Sequence, residues 1–168
     1  MGLLDDHLGR ADPGSRGSAL KQAELRRAME DEERRRIAGW TNALELAEGA
    51  LGSDLLRAAS ALGRAAIPFD LPADRLSGVR VGMRRSGCWV LYRRSWSGER
   101  GSGSEPVVGM DARGRIFWVL KTSAASPPTY LASRDVRNTK KHQFEPAPSP
   151  DHIASGLAGL LSRHDVQL

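Results

Sequence analysis

Residues 106–121, PVVGMDARGRIFWVLK, decide the fold. Two apolar runs flank the segment Asp111–Gly114, in which Gly114 suits the left-handed position that closes a type I turn. The stretch therefore predicts a β-hairpin. Alternation divides its apolar side chains between two faces. One face carries Val108, Met110, Ile116, Trp118 and Leu120, and the other carries Val107, Phe117 and Val119. Such strands are covered on both sides, or keep one face for a partner.

The sequence on the amino-terminal side of this hairpin predicts another one. Residues 79–84 alternate between apolar and polar, Ser86-Gly87 is a turn signal, and residues 88–96 are rich in β-forming side chains. A two-residue turn would set Arg84 beside Trp89 and Arg80 opposite Arg93 on one face. Residues 97–104 are rich in glycine and serine and predict a flexible loop between the two hairpins.

Helical periodicity dominates the amino-terminal third of the chain. A helix is predicted from an N-cap at Ser18 to about Leu51, followed by a break at Gly49 and Gly52 and a second helix to about Ala66. Apolar residues at alternating spacings of three and four form the predicted helix interface. These residues are Ile37, Trp40, Leu44, Ala47 and Leu51. A helix hairpin that packs its own apolar stripes is favoured over a dimeric coiled coil.

A charged run, EDEERRR at residues 30–36, lies in the middle of the first predicted helix. Each of its first three acids precedes an arginine by four residues, in the favourable orientation for ion pairs on a helix surface. The run is interpreted as a self-supporting, solvated part of the helix, and a partner-binding patch is the alternative.

The carboxy-terminal part adds a short strand and a helix. Tyr130–Ala132 is a candidate strand, and Ser149 is a good N-cap for a helix from Pro150 to about His164. The predicted fold class is α+β, with an N-terminal helical arm or helix hairpin, an antiparallel meander of about four strands, and a C-terminal helix packed on the sheet. The predicted divisions are a flexible tail at 1–17, the helical arm at 18–67 and a small α+β domain at 75–168.

Composition limits the classes of function. The 168 residues carry one cysteine, Cys88, which excludes an internal disulfide, and the apolar runs are too short to cross a membrane. Acids near the amino terminus are unlike a secretory signal, so a cytoplasmic location is expected. The net charge of +5 is uneven: residues 1–70 carry −2 and residues 71–168 carry +7. This basic excess suggests an anionic partner, although a GC-rich genome also favours arginine codons.

The sequence contains no local catalytic, metal-binding or cofactor motif. The four histidines are scattered, and Cys88 is interpreted as a small buried apolar side chain and not as a nucleophile. We therefore expect no catalytic residues, no metal, no cofactor and no enzymatic activity. The leading hypothesis is a protein-interaction, adaptor or assembly protein that binds another protein, or itself, through the helical arm and a sheet face.

The alternative hypothesis is a nucleic-acid-associated protein. Arginine and lysine neutralise phosphates, and exposed aromatic rings on a sheet stack on bases. The predicted binding surface for a partner or a nucleic acid comprises Arg80, Arg84, Trp89, Arg93, Arg134, Arg137, Lys140 and Lys141. It is equally expected that carboxylates of the acidic helical arm cover the hairpin part of this surface, which comprises Arg80, Arg84, Trp89 and Arg93.

Overall fold

A computed structural model describes residues 13–77, 87–99, 101–122, 126–134 and 146–168. The predicted α+β class is confirmed, with a long helix, a five-stranded sheet and a C-terminal helix. The chain divides into two compact units with a boundary between Ala38 and Gly39. The second unit therefore begins within the predicted helical arm. Within the described residues, no helix is long and apolar enough to span a membrane.

Helix α1 runs without a break from Pro13 to Arg64. It begins before the predicted cap at Ser18, and proline suits the first turn of a helix. The predicted helix hairpin is wrong, because Gly49 and Gly52 lie inside α1. Glycine costs only about 1 kcal/mol in a helix interior, which the burial of neighbouring apolar side chains can offset. Buried side chains on both sides of the glycines include Leu44, Ala47, Leu55, Ala58 and Leu62.

The sheet contains strands β1 (Leu76–Ser77), β2 (Trp89–Gly98), β3 (Gly101–Met110), β4 (Ile116–Lys121) and β5 (Tyr130–Ser133). Their order is β1-β5-β4-β3-β2, and a short 3-10 helix, Ala73–Arg75, precedes β1. Strands β2 to β5 form the predicted antiparallel meander, and β1 adds a parallel edge pair with β5.

The hairpin of residues 106–121 forms as predicted. Met110 pairs with Ile116, and Gly114 has a φ of +75°. The turn is held by Asp111, whose carboxylate accepts hydrogen bonds from the backbone N–H groups of Arg113 and Arg115 and from the Arg115 guanidinium. Asp111 is only 1% exposed, so these bonds compensate the cost of burying its charge.

Both faces of β4 are covered within the second unit. Trp118 lies on one face against Trp40 of α1, with ring centroids 4.2 Å apart. Phe117 and Val119 alternate with Trp118 and so project to the other face. They belong there to a buried cluster with Leu71, Leu76, Cys88, Val90 and Ala132.

The predicted flexible loop at residues 97–104 is wrong. Strand pairing continues to Ser97 opposite Ser102 and to Gly98 opposite Gly101, so two residues separate β2 from β3. Gly101 has a φ of +117°, a conformation that glycine adopts without strain. The glycine content of this segment thus permits a tight turn and does not prevent strand formation.

Helix α2, Pro150–Arg163, confirms the predicted C-terminal helix. The Ser149 hydroxyl accepts a hydrogen bond from the backbone N–H of His152, and the His152 ring accepts one from the Ser149 N–H. This reciprocal cap satisfies donors at the start of the helix. The apolar stripe of α2 is buried, and the helix packs on β2. Its members are Ile153, Leu157, Leu160 and Leu161.

Candidate functional site

The predicted arginine and tryptophan surface is only partly within the described residues. Residues 78–86 and 135–145, and with them the predicted pairing of residues 79–85 with β2, lie outside those residues. The surface residues concerned are Arg80, Arg84, Arg137, Lys140 and Lys141. Trp89, Arg93 and Arg134 are the predicted members of the surface that the structure describes.

Trp89 is wrongly predicted as a surface aromatic. Its side chain is 2% exposed, it pairs with Met110 across β2 and β3, and its ring lies 4.5 Å from the ring of Phe69. A large aromatic side chain gains most by leaving water, and strand alternation alone does not show which face is covered. Trp89 therefore stabilises the core and presents no ring to a nucleic acid base.

Arg93 and Arg134, the two arginines of the predicted surface that the structure describes, have different surroundings. Arg93 is exposed on β2, and Arg134 is exposed just after β5. The Arg134 guanidinium pairs with the carboxylate of Glu48 on α1, which also accepts a hydrogen bond from the Ile116 N–H. An acid of the predicted arm thus neutralises one arginine of the basic half, although Arg134 lies outside the hairpin face that arm carboxylates were expected to cover.

The predicted helix interface is mostly covered by the chain itself. Trp40, Leu44 and Ala47 are buried, and Ile37 and Leu51 are half-buried. The ring contact of Trp40 with Trp118 places this member of the stripe against the sheet. Helical periodicity alone does not show whether an apolar stripe packs on a helix or on a sheet.

In the first unit, α1 is exposed over residues 17–32. Three large apolar side chains lie in this stretch, Leu20, Leu25 and Met29, and they are 67%, 63% and 64% exposed. The charged run, residues 30–36, begins directly after Met29. Its ion pairs include Arg34 with Asp31 at 3.9 Å and Arg36 with Glu33 at 3.7 Å, spaced three residues apart and not four as predicted.

A second exposed feature is the outer part of the β2–β3 hairpin. Trp96 is 51% exposed there, and sequence reasoning did not single it out. The signal that could have found it is its position in a run of small residues, Ser-Trp-Ser-Gly, which cannot bury a large ring. A shallow depression on this hairpin is lined by Ser95, Trp96, Ser97, Ser102, Gly103 and Ser104.

Among the described residues, no group of three or more His, Cys, Asp or Glu side chains is placed to hold a metal ion. His152 caps α2, and Cys88 is fully buried in the cluster with Phe117 and Val119. His152 and Cys88 therefore each have a structural role in the described part of the chain.

Burial, followed by the nearby carboxylates of Asp70 and Asp111, raises the pKa of the Cys88 thiol to about 12. The thiolate is the reactive form, so this thiol is inert at neutral pH. We expect alkylation by iodoacetamide at pH 8 to be about a hundredfold slower in the folded protein than in denaturant. Mass spectrometry of timed samples measures both rates, and equal rates would show that Cys88 is accessible and ionised.

Helix and hairpin each present an exposed surface that carries large apolar or aromatic side chains, although the described residues also expose Leu46, Leu56 and Leu168. The first lies on residues 17–32 of α1, and the second surrounds Trp96. Comparisons of the chain with protein-family models, with curated proteins and with solved structures gave no match, so the chemistry of these surfaces is the guide to function.

Proposed function

We propose that this protein is a non-enzymatic interaction or assembly protein that binds another protein through residues 17–32 of α1, named here the arm surface. The observation that carries the proposal is the exposure of Leu20, Leu25 and Met29 on a helix segment whose described side chains all contact water. Helices in proteins gain most of their stability from packing an apolar face, and this segment has none packed.

Leu25 and Met29 define which side of α1 carries the apolar part of the arm surface. Residues four apart on a helix are neighbours, so these two side chains form one apolar patch. Paired apolar anchors of this spacing are what a helix inserts into the groove of a protein partner. Full burial of one such side chain is worth about 1.5–3 kcal/mol, so the patch supplies a useful part of a binding free energy.

The charged residues around the patch support a protein partner with both signs of charge. Lys21 lies one helical turn before Leu25, and Glu24 and Arg26 adjoin Leu25 in the chain, so both signs of charge lie near the patch. A purely anionic partner would meet the acids as well as the bases. Mixed charges at the rim of an interface suit specificity between proteins.

The interaction hypothesis also included a sheet face, and the burial of the β4 side chains limits which part of the sheet could bind a partner. The side chains of β4 from Ile116 to Leu120 are buried on both faces, so these five residues offer no surface to a partner. The nucleic-acid alternative loses its stacking ring with Trp89, although Arg93 stays exposed. The arm surface is therefore the better-supported place for a partner.

Site-specific photocrosslinking in the source cell tests the proposal. Leu25 is replaced by the photoreactive residue p-benzoylphenylalanine, and the same replacement at Arg27 serves as the control, because two helical positions differ by about 200° around the axis. We expect irradiation to give a discrete adduct from position 25 that protease removes and nuclease does not.

Each other outcome opposes the proposal. An adduct that nuclease removes would favour the nucleic-acid alternative. Equal labelling from positions 25 and 27, or none from either, would mean that the apolar patch has no specific protein partner. The mass of the adduct also separates a second copy of this chain from a different protein.

A further inference from the structure

The outer half of the β2–β3 hairpin carries the indole ring of Trp96, and its other paired residues from Ser95 to Gly98 and from Gly101 to Ser104 are serine and glycine. Directly opposed residues in an antiparallel pair project to the same face, as do residues two apart along a strand. The register therefore places three opposed pairs on one face, named here the Trp96 face. The pairs are Arg94 with Glu105, Trp96 with Gly103, and Gly98 with Gly101.

The ring of Trp96 lies flat on the backbone at Gly103. A Cβ atom added at Gly103 would be 2.6 Å from Cζ2, 2.9 Å from Cε2 and 3.3 Å from Cη2 of the ring. Gly103 therefore admits the ring, which covers the strand with one of its two faces. The side chain remains 51% exposed, as expected if the other ring face is open to water.

The surroundings of the ring are polar on one side and bare on the other. The Arg94 guanidinium pairs with the Glu105 carboxylate, and these side chains are 31% and 29% exposed. At Gly98 and Gly101 an added Cβ would meet no atom of the described residues within 4 Å. The Trp96 face thus combines an open aromatic plane, a hydrogen-bonding donor and acceptor, and no net charge from its own residues.

From these features we propose that the Trp96 face binds a neutral saccharide chain. The C–H face of a sugar ring is apolar and flat enough to cover an indole, whose aromatic body is apolar. Its hydroxyl groups both donate and accept hydrogen bonds, so their edge complements a neighbouring arginine and glutamate.

The charge of the Trp96 face favours a saccharide over a nucleotide. A nucleobase also stacks on an indole, but it brings a phosphate that needs a cation nearby. The Arg94 charge is neutralised by Glu105, so this face carries no excess positive charge of its own. A neutral ligand needs no cation, so the ion pair between Arg94 and Glu105 does not weaken its binding.

The tryptophan content of the chain provides a selective probe. Trp40, Trp89 and Trp118 are 4%, 2% and 0% exposed, so fluorescence that acrylamide quenches comes mainly from Trp96. The full chain is titrated with cellohexaose, xylohexaose, chitohexaose and maltohexaose. We expect at least one of them to protect the fluorescence from acrylamide, and glucose to protect it less.

Variants then locate the site by calorimetry with the saccharide that protects. Trp96→Ala is expected to lower affinity by about tenfold or more, as removal of a stacking ring does. Trp96→Phe should retain part of the affinity, and Leu46→Ala, which alters a side chain of similar exposure on α1, should retain all of it. Near-ultraviolet circular dichroism checks that the three buried tryptophans keep their packing.

Three results would overturn the proposal. Protection by none of the four hexasaccharides excludes a neutral saccharide site of this kind. Protection by oligothymidylate alone would assign the face to nucleic acid. Unchanged saccharide affinity in Trp96→Ala would place the binding elsewhere on the chain.

Discussion

The Gly156→Ala variant is expected to lose about 3 kcal/mol of its free energy of unfolding, although alanine is the better helix former. A Cβ atom at residue 156 would lie 1.7 Å from the backbone oxygen of Leu91 and 2.7 Å from its carbonyl carbon. These are backbone atoms of β2, so no side-chain rotation relieves the clash. Helix α2 would have to move away from β2 and expose part of its apolar stripe.

Gly159→Ala is the matched control in the same helix. Nothing lies within 4 Å of a Cβ atom added at Gly159, so the substitution only removes backbone freedom. It should raise the free energy of unfolding by about 1 kcal/mol. Urea denaturation followed by circular dichroism measures both variants. If Gly156→Ala were also neutral or stabilising, the close approach of α2 to Leu91 would be wrong.

The Trp118→Ala variant is expected to lose about 3–5 kcal/mol, which is typical when a buried large aromatic side chain is truncated. Trp118 is fully buried and contacts the ring of Trp40. Its indole N–H has no hydrogen-bond partner among the described residues, so the loss would come from packing and the cavity left behind. The ring also forms the contact between Trp40 of α1 and the sheet.

Trp96→Ala provides the comparison for Trp118→Ala, because it makes the same chemical change at a half-exposed position. We expect it to cost less than Trp118→Ala by at least about 2 kcal/mol, since less apolar area leaves water when Trp96 packs. The same urea experiment gives both values. Equal losses would indicate that the outer hairpin contributes as much stability as the core.

Local sequence signals were sufficient to predict an element where the residues that determine it lie close together in the chain. The turn at Asp111–Gly114 needs a left-handed residue at Gly114, and α2 needs a cap at Ser149. Both requirements are met by residues within a few positions, so the hairpin and the terminal helix were predictable. The C-terminal strand at Tyr130 was found in the same way, from a short apolar run after prolines.

Local signals failed where distant contacts outweighed them. Gly49 and Gly52 suggested a break, yet burial of Ala47 and Leu55 on either side holds α1 together. Glycine and serine at residues 97–104 suggested a loop, yet cross-strand pairing orders them as the ends of β2 and β3. Each misleading residue type has only a weak intrinsic preference, which tertiary contacts readily exceed.

The exposure of the candidate surfaces was also predictable only in part from the sequence. Exposure of the charged run on α1 was predictable, because so many charges cannot be buried together. The burial of Trp89 and the exposure of Trp96 were not predictable, because both residues belong to one β-rich run of the sequence. Which tryptophan is covered depends on Phe69 and on pairing with β3, and neither contact is local.

The sequence by itself determined the α+β class, the order of most elements and the uneven distribution of charge, because turn residues, caps and periodicity act over a few positions. Only the tertiary structure decided which surfaces remain exposed. It joined two predicted helices into α1, covered both faces of β4, paired Glu48 with Arg134 and left Trp96 at the surface. Burial and ion pairing depend on residues far apart in the chain, and their energies are set only when the elements pack.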